Sequence, residues 1–272
     1  YPLRRQRQMC IRDRYWKDLW RYRELFLILT WRDVAVQYKQ TVVGILWAVL
    51  RPLLTMAAFT IVFSKIAKLP AEGEAPYALM VFAAMLPWQL FATSLAATAN
   101  SLVANSNLVS KVYFPRVIVP TATLGVAIVD FAISFVLLCG MMCWYQYLPP
   151  IQVLMVFPLT LLAGLVALGP GLILCALNVT YRDFRIIVPF ITQFGLYISP
   201  VGFSSSIVPE KWHLLYECNP MVGVIDGFRW AILGTTDFPG RALLISSICA
   251  FVFLLLGIKI FLRTERTFAD VI

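Results

Sequence analysis

The sequence predicts an all-α integral membrane protein: six transmembrane helices, an N-terminal amphipathic interface helix, and re-entrant helices before the last span. Three observations predict it. Of 272 residues, 60% are hydrophobic and only 14% charged, with a mean hydropathy of +0.79; a soluble domain is about 45–50% apolar and about 25% charged. Apolar runs long enough to cross a hydrocarbon core of about 30 Å recur along the chain. The cations between those runs divide unequally between the two sides, as the topology of a multi-pass protein demands.

Residues 1–14, YPLRRQRQMCIRDR, fit nothing downstream and are expected to be a non-native or disordered N-terminus, a basic juxtamembrane arm being the alternative. The membrane domain is assigned to 15–272. In 15–31, Trp16, Leu19, Trp20, Leu27 and Trp31 recur at roughly helical spacing opposite Lys17, Asp18, Arg21, Arg23 and Glu24. That pattern suits a helix lying in the membrane interface. A polar connector, 32–40, leads to span one at about 41–66, which Arg51-Pro52 interrupts and Pro52 is expected to kink. Span two covers about 77–99. A polar break, NSLVANSNLVSKVYFPRVIVP, fills 100–120 and is longer than a bare turn needs, so it reads as a cytoplasmic docking element. Span three, about 117–145, carries Asp130 near its middle. Pro149-Pro150 marks a tight turn before span four, about 152–177, where Gly164, Ala167, Gly169 and Gly171 offer close helix contacts. A second break, NVTYRDFR, leads to span five at about 186–203. The stretch 212–233 is too polar and broken to span, and two short re-entrant helices suit it better. Such backbone is tolerated at membrane depth only when buried in protein or lining a cavity. Span six covers about 241–262.

Six spans place both termini on one side. The segments on that side carry 17 Lys and Arg against 5 on the other, with Arg51 inside a span, so both termini are expected in the cytoplasm. The net charge of +9 is then topological and lipid-facing rather than a nucleic-acid footprint. Four of the six cysteines lie in apolar runs, and no disulfide is expected. One histidine, His213, excludes a His-based metal cluster and is expected to be structural or solvated. The chain holds no G-x-x-x-x-G-K-[ST] phosphate loop, no G-x-S-x-G elbow and no H-E-x-x-H helix. The pattern is that of a conduit whose energy is supplied elsewhere. A membrane enzyme lacks its catalytic constellation here. An ion-coupled secondary transporter would need repeats and several membrane carboxylates.

Five stretches carry a family resemblance: YKQTVVGILWAVLRPLLTM (38–56), FAAMLPWQLFATSL (82–95), NSNLVSKVYFPRVIVP (105–120), LNVTYRDFRIIVPFITQFGLYISPV (177–201) and VPEKW…NPMVGVIDGFRWAILG (208–234). In this order they resemble the permease subunits of ABC-2 type exporters of polysaccharides and polyol phosphates, from about residue 15 to the C-terminus. The resemblance implies a homodimer with two copies of a separate ATP-binding subunit, which holds ATP and Mg while this chain binds no cofactor. It implies a coupling helix between spans two and three, gate helices outside before span six, and a channel carrying an undecaprenyl-linked chain across the bacterial inner membrane. An ABC-2 exporter of drugs or small lipids is the alternative. Arg51 departs from the neutral polar residue expected there.

The resemblance assigns ATPase coupling to Asn105, Leu108, Lys111, Val112, Tyr113, Phe114 and Arg116, where a solvated loop anchoring topology is the plainer reading. Tyr181, Arg182 and Asp183 form either a smaller second contact or a turn in which Asp183 is neutralised by Arg182 or Arg185. Channel candidates are Arg51, Trp88, Asp130, Tyr197 and Trp230. A charge at a span centre costs about 2.5–3.5 kcal/mol on insertion scales, so Arg51 and Asp130 either pair or find separate polar partners. Aromatic rings near span ends form an interfacial belt or stack on sugar faces.

Overall fold

A computed structural model describes residues 20–39, 44–68, 75–112, 114–181, 183–234, 237–265 and 268. Among them there are helices and no β-strand. We number the α-helices α1 (Arg23–Lys39), α2 (Gly44–Phe59), α3 (Tyr77–Ala104), α4 (Ser106–Lys111), α5 (Ile118–Ala122), α6 (Leu124–Trp144), α7 (Val156–Thr180), α8 (Phe184–Ile198), α9 (Glu210–Glu217), α10 (Pro220–Leu233) and α11 (Gly240–Thr264). A π-helical stretch, Thr60–Ile66, extends α2, and a 3-10 turn, Ile151–Met155, leads into α7. Five helical segments are long and apolar enough to cross a membrane: Leu46–Ile66, Tyr77–Ala104, Ile118–Trp144, Ile151–Thr180 and Gly240–Thr264; α8 is a shorter apolar helix. This is the architecture of a multi-pass membrane protein.

The bundle is organised around α3, whose flanks are covered nearly throughout, while α2, α6 and α11 keep much of their surface exposed. Leu79 to Ala84 are all at most 1% exposed. α7 packs on α3 and α11, α10 sits between α3, α7 and α11, and α1 lies across α5 and α6. Small residues set the closest approach. A Cβ on Gly169 would lie 2.6 Å from the Phe253 carbonyl carbon, and Gly257 faces the Gly169 carbonyl in return. Gly171 abuts Thr98, but among the described residues Gly164 faces open space and makes no close helix contact.

Several boundaries differ from the expectation. The interface helix is displaced along the chain: α1 runs to Lys39, so the expected connector is helical, while residues 15–19 lie outside the described set, as do residues 1–14. Its two apolar sides explain the shift. Trp20, Leu27 and Trp31 point outward, whereas Tyr22, Leu25, Phe26 and Leu29 pack on the bundle and carry the helix onward. Span one is not interrupted at Arg51-Pro52, because the helix continues through Pro52 and departs from α geometry only at Thr60. Neighbouring helices and local π adjustments re-satisfy the carbonyls a proline frees. α3 runs five residues past the expected end of span two. Span five is shorter than expected: α8 has 15 residues, about 22 Å at 1.5 Å per residue, and ends in turns at 199–203.

The stretch 212–233 does divide into two short helices. Asn219 separates them: its side chain accepts from the Met221 N–H at 3.1 Å, Pro220 occupies the first turn, and Gly234 closes α10 at φ +62. An Asn N-cap, a Pro at the start and a left-handed Gly at the end are the residues those positions favour. α10 is buried along its length and α9 is exposed.

Candidate coupling site

The site is built where α3 gives way to α4. The Asn105 side-chain amide donates to the Ser101 carbonyl at 2.9 Å, closing α3, while the Asn105 carbonyl accepts from the Leu108 and Val109 N–H groups and opens α4. α4 has six residues. Val109 is its buried anchor; Asn107, Ser110, Lys111 and Val112 face outward, with Val112 50% exposed. The α4 ladder ends with the Val112 N–H donating to the Leu108 carbonyl at 3.1 Å, and Val112 turns to extended backbone. Phe114 and Pro115 are buried, and α5 begins with the Ile118 N–H on the Pro115 carbonyl.

Neighbouring elements clamp this segment. Arg32 of α1 donates to Asn105 Oδ1 at 2.7 Å and pairs with Asp33 at 2.6 Å. Thr30 Oγ1 donates to the Ala122 carbonyl at 3.3 Å, and Thr98 of α3 reaches the Pro120 carbonyl at 3.4 Å. At the end of α7, Asn178 donates to the Ala99 carbonyl at 2.8 Å. That bond brings the α7–α8 turn to the same end of the bundle as α4.

The structure therefore sorts the coupling candidates. Leu108 is half-buried, Lys111 and Val112 form the outward surface, and Asn105 is the joint. Phe114 is only 4% exposed and belongs to the support beneath α4 rather than its free face. Arg116 turns to the C-terminal tail and bonds Glu265. Tyr113 and Arg182 lie outside the described residues. Tyr181 and Asp183 are exposed, and among the described residues Asp183 forms no ion pair and caps no helix N–H. Arg32, Asn178 and Glu265 were missed by sequence reasoning, since each sits in a segment read as connector, polar break or tail.

The channel candidates lie on five different helices, α2, α3, α6, α8 and α10. Arg51 is exposed on α2, and Tyr197 of α8 is 60% exposed and stacked on Phe59 at 6.4 Å. Trp88 is 6% exposed, packed on Phe91 and against Gly195. Trp230 sits edge-on to Phe238 at 4.9 Å. Asp130 does not pair with Arg51: it accepts from the Tyr38 hydroxyl and from Gln37 Nε2 at 3.2 Å, both on α1. Helicity through Lys39 is what carries these two side chains to it.

A helical multi-pass membrane protein with a short clamped helix at one end of the bundle is thus defined. Residues 24–233 match the ABC-2 type transporter family, and the chain belongs to that family, a membrane component of transporters. Among similar proteins, an O-antigen export system permease protein RfbA of Klebsiella pneumoniae is 26% identical over 252 residues, 92% of this chain and 95% of that protein. One of the same name from Myxococcus xanthus is 27% identical over 216 residues, covering 78% and 82% of the two chains. The inner membrane transport permease YadH of Escherichia coli (strain K12) is 33% identical over 60 residues, 22% of this chain and 23% of that one.

Proposed function

We propose that this chain is the transmembrane permease subunit of an ATP-driven exporter that moves a lipid-linked polysaccharide, of O-antigen, capsule or teichoic-acid type, outward across the bacterial inner membrane. The observation that carries this reading is the likeness to an O-antigen export permease over 92% of the chain. Two copies pair, each with a cytoplasmic ATP-binding subunit that holds ATP and Mg; the permease itself catalyses nothing. Both termini and α4 face the cytoplasm. The outward surface of Lys111 and Val112 supports α4 as the seat of the ATP-binding subunit, with Tyr181 and Asp183 beside it. The exposed face of α8, with Phe190, Phe194 and Tyr197, supports a wall on which sugar rings stack.

The test is export in cells that make a lipid-linked O-antigen but lack their own permease. The chain, expressed with its cognate ATP-binding subunit, should restore surface polysaccharide. Val112→Asp should abolish export while the purified complex still hydrolyses ATP, because an unpaired carboxylate buried in a partner's groove costs several kcal/mol. A wild-type complex that assembles and hydrolyses ATP without displaying polysaccharide would sink the reading.

A further inference from the structure

The segment after α4 is held by the far end of the chain. Arg116 donates its backbone N–H to Glu265 Oε1 at 2.9 Å and its guanidinium Nη1 to the Glu265 carbonyl at 2.6 Å. Three residues on, Phe268 is fully buried, edge-on to Phe261 at 5.4 Å. Both rings share one apolar cluster with Val109 and Phe114 beside them and Leu29 of α1. Glu265 and Phe268 are built into the floor under α4.

We propose that Glu265 is a positioning residue of the coupling machinery: it ties the α4 segment to α11, so that displacing α4 moves the last spanning helix along with α3 and α6. This rests on the permease reading above. A helix of six residues with one buried anchor transmits force only through what clamps it. Two of its clamps involve charged side chains, Arg32 on Asn105 and Glu265 on Arg116; in the second the carboxylate accepts a backbone N–H and the guanidinium donates to a backbone carbonyl, so each bond is charge-assisted and roughly twice as strong as a neutral one. α11 is close-packed further along. Gly257 faces the Gly169 carbonyl of α7, and Gly223 of α10 faces the Ala242 carbonyl and Ser246. Close-packed helices move as units rather than deform. With 25 residues, α11 is a rod of about 37 Å joining the α4 floor to the buried α10 at its other end.

The test uses the whole complex of this chain with its ATP-binding subunit. ATP turnover is measured on purified complex in phospholipid vesicles, and surface polysaccharide on cells carrying the same variants. Glu265→Gln keeps an Oε1 acceptor for the Arg116 N–H, and Glu265→Leu removes it. We expect Glu265→Leu to lower surface polysaccharide about tenfold at ATP turnover within about twofold of wild type, and Glu265→Gln to recover most of the export. Arg116→Gln, which deletes only the guanidinium bond, should show the same split and stands in if the Leu variant fails to accumulate. Wild-type export by the Leu variant, or by Arg116→Gln where it stands in, overturns the proposal. So does a parallel loss of turnover and export at an undiminished membrane level. A wild-type complex that hydrolyses ATP but exports nothing instead refutes the permease reading, and the proposal falls with it.

Discussion

Gly169 and Gly164 lie five residues apart on α7, and the same substitution should destabilise the chain at the first and not at the second. A Cβ on Gly169 would stand 2.6 Å from the Phe253 carbonyl carbon and 2.7 Å from the Leu254 nitrogen, both backbone atoms of α11, whereas ordinary contact begins at 3.4 Å. No rotamer can relieve such a contact, so α7 and α11 must separate by roughly 0.8 Å along their seam, and overpacking of this kind costs about 1–3 kcal/mol. At Gly164 nothing lies within 4 Å of the added carbon, and replacing glycine in a helix interior recovers up to about 1 kcal/mol of propensity. Thermal unfolding of the detergent-solubilised chain reads both. Gly169→Ala should lower the melting temperature by about 5 °C, and Gly164→Ala should leave it unchanged or raise it, taking about 2–4 °C per kcal/mol. Equal shifts at the two positions would refute the claim that the α7–α11 seam is set by backbone contact.

Three further outcomes follow from single contacts. Burial first, and then the hydrogen bond to Asp130, hold the Tyr38 hydroxyl above its ordinary 10.0. A group raised in the folded state contributes its full stability below its unfolded value and loses it as pH rises through the folded one. The wild-type melting temperature should therefore fall more steeply above about pH 10 than that of Tyr38→Phe, as alkaline melting curves would record. Arg229 is 1% exposed and donates to the Phe203 and Val201 carbonyls at 2.9 and 3.2 Å. A lysine ammonium cannot reproduce the guanidinium fork, so Arg229→Lys should cost about 1–3 kcal/mol in a thermal unfolding assay. Arg241 meets both Glu217 carboxylate oxygens at 2.8 and 2.9 Å but is 63% exposed; a double-mutant cycle should give only a weak coupling that shrinks as salt is added.

The coupling site shows how far residue-by-residue reading reaches. The break at 100–120 was legible because polar residues between two apolar runs have nowhere to go but out of the membrane. Val112 as an outward residue and Val109 as an anchor were not, because α4 is too short for its periodicity to declare a face. Asp130 was legible as a carboxylate in need of a partner, yet Tyr38 and Gln37 lay in a segment whose polarity resembled a connector. They supply the bonds only because α1 continues helical through Lys39.

The class was written in the residues alone: long apolar runs can satisfy their backbone in a membrane only as helices, and the order of the runs sets the number of segments. So was the break between 212 and 233, where Asn219, Pro220 and Gly234 write a helix start and stop in local chemistry. Which charged and polar side chains meet emerges only from the packed fold. Arg32 finds Asn105 across 73 residues and Arg116 finds Glu265 across 149. Nothing local marks such pairs, since their energy exists only once the helices between them have packed.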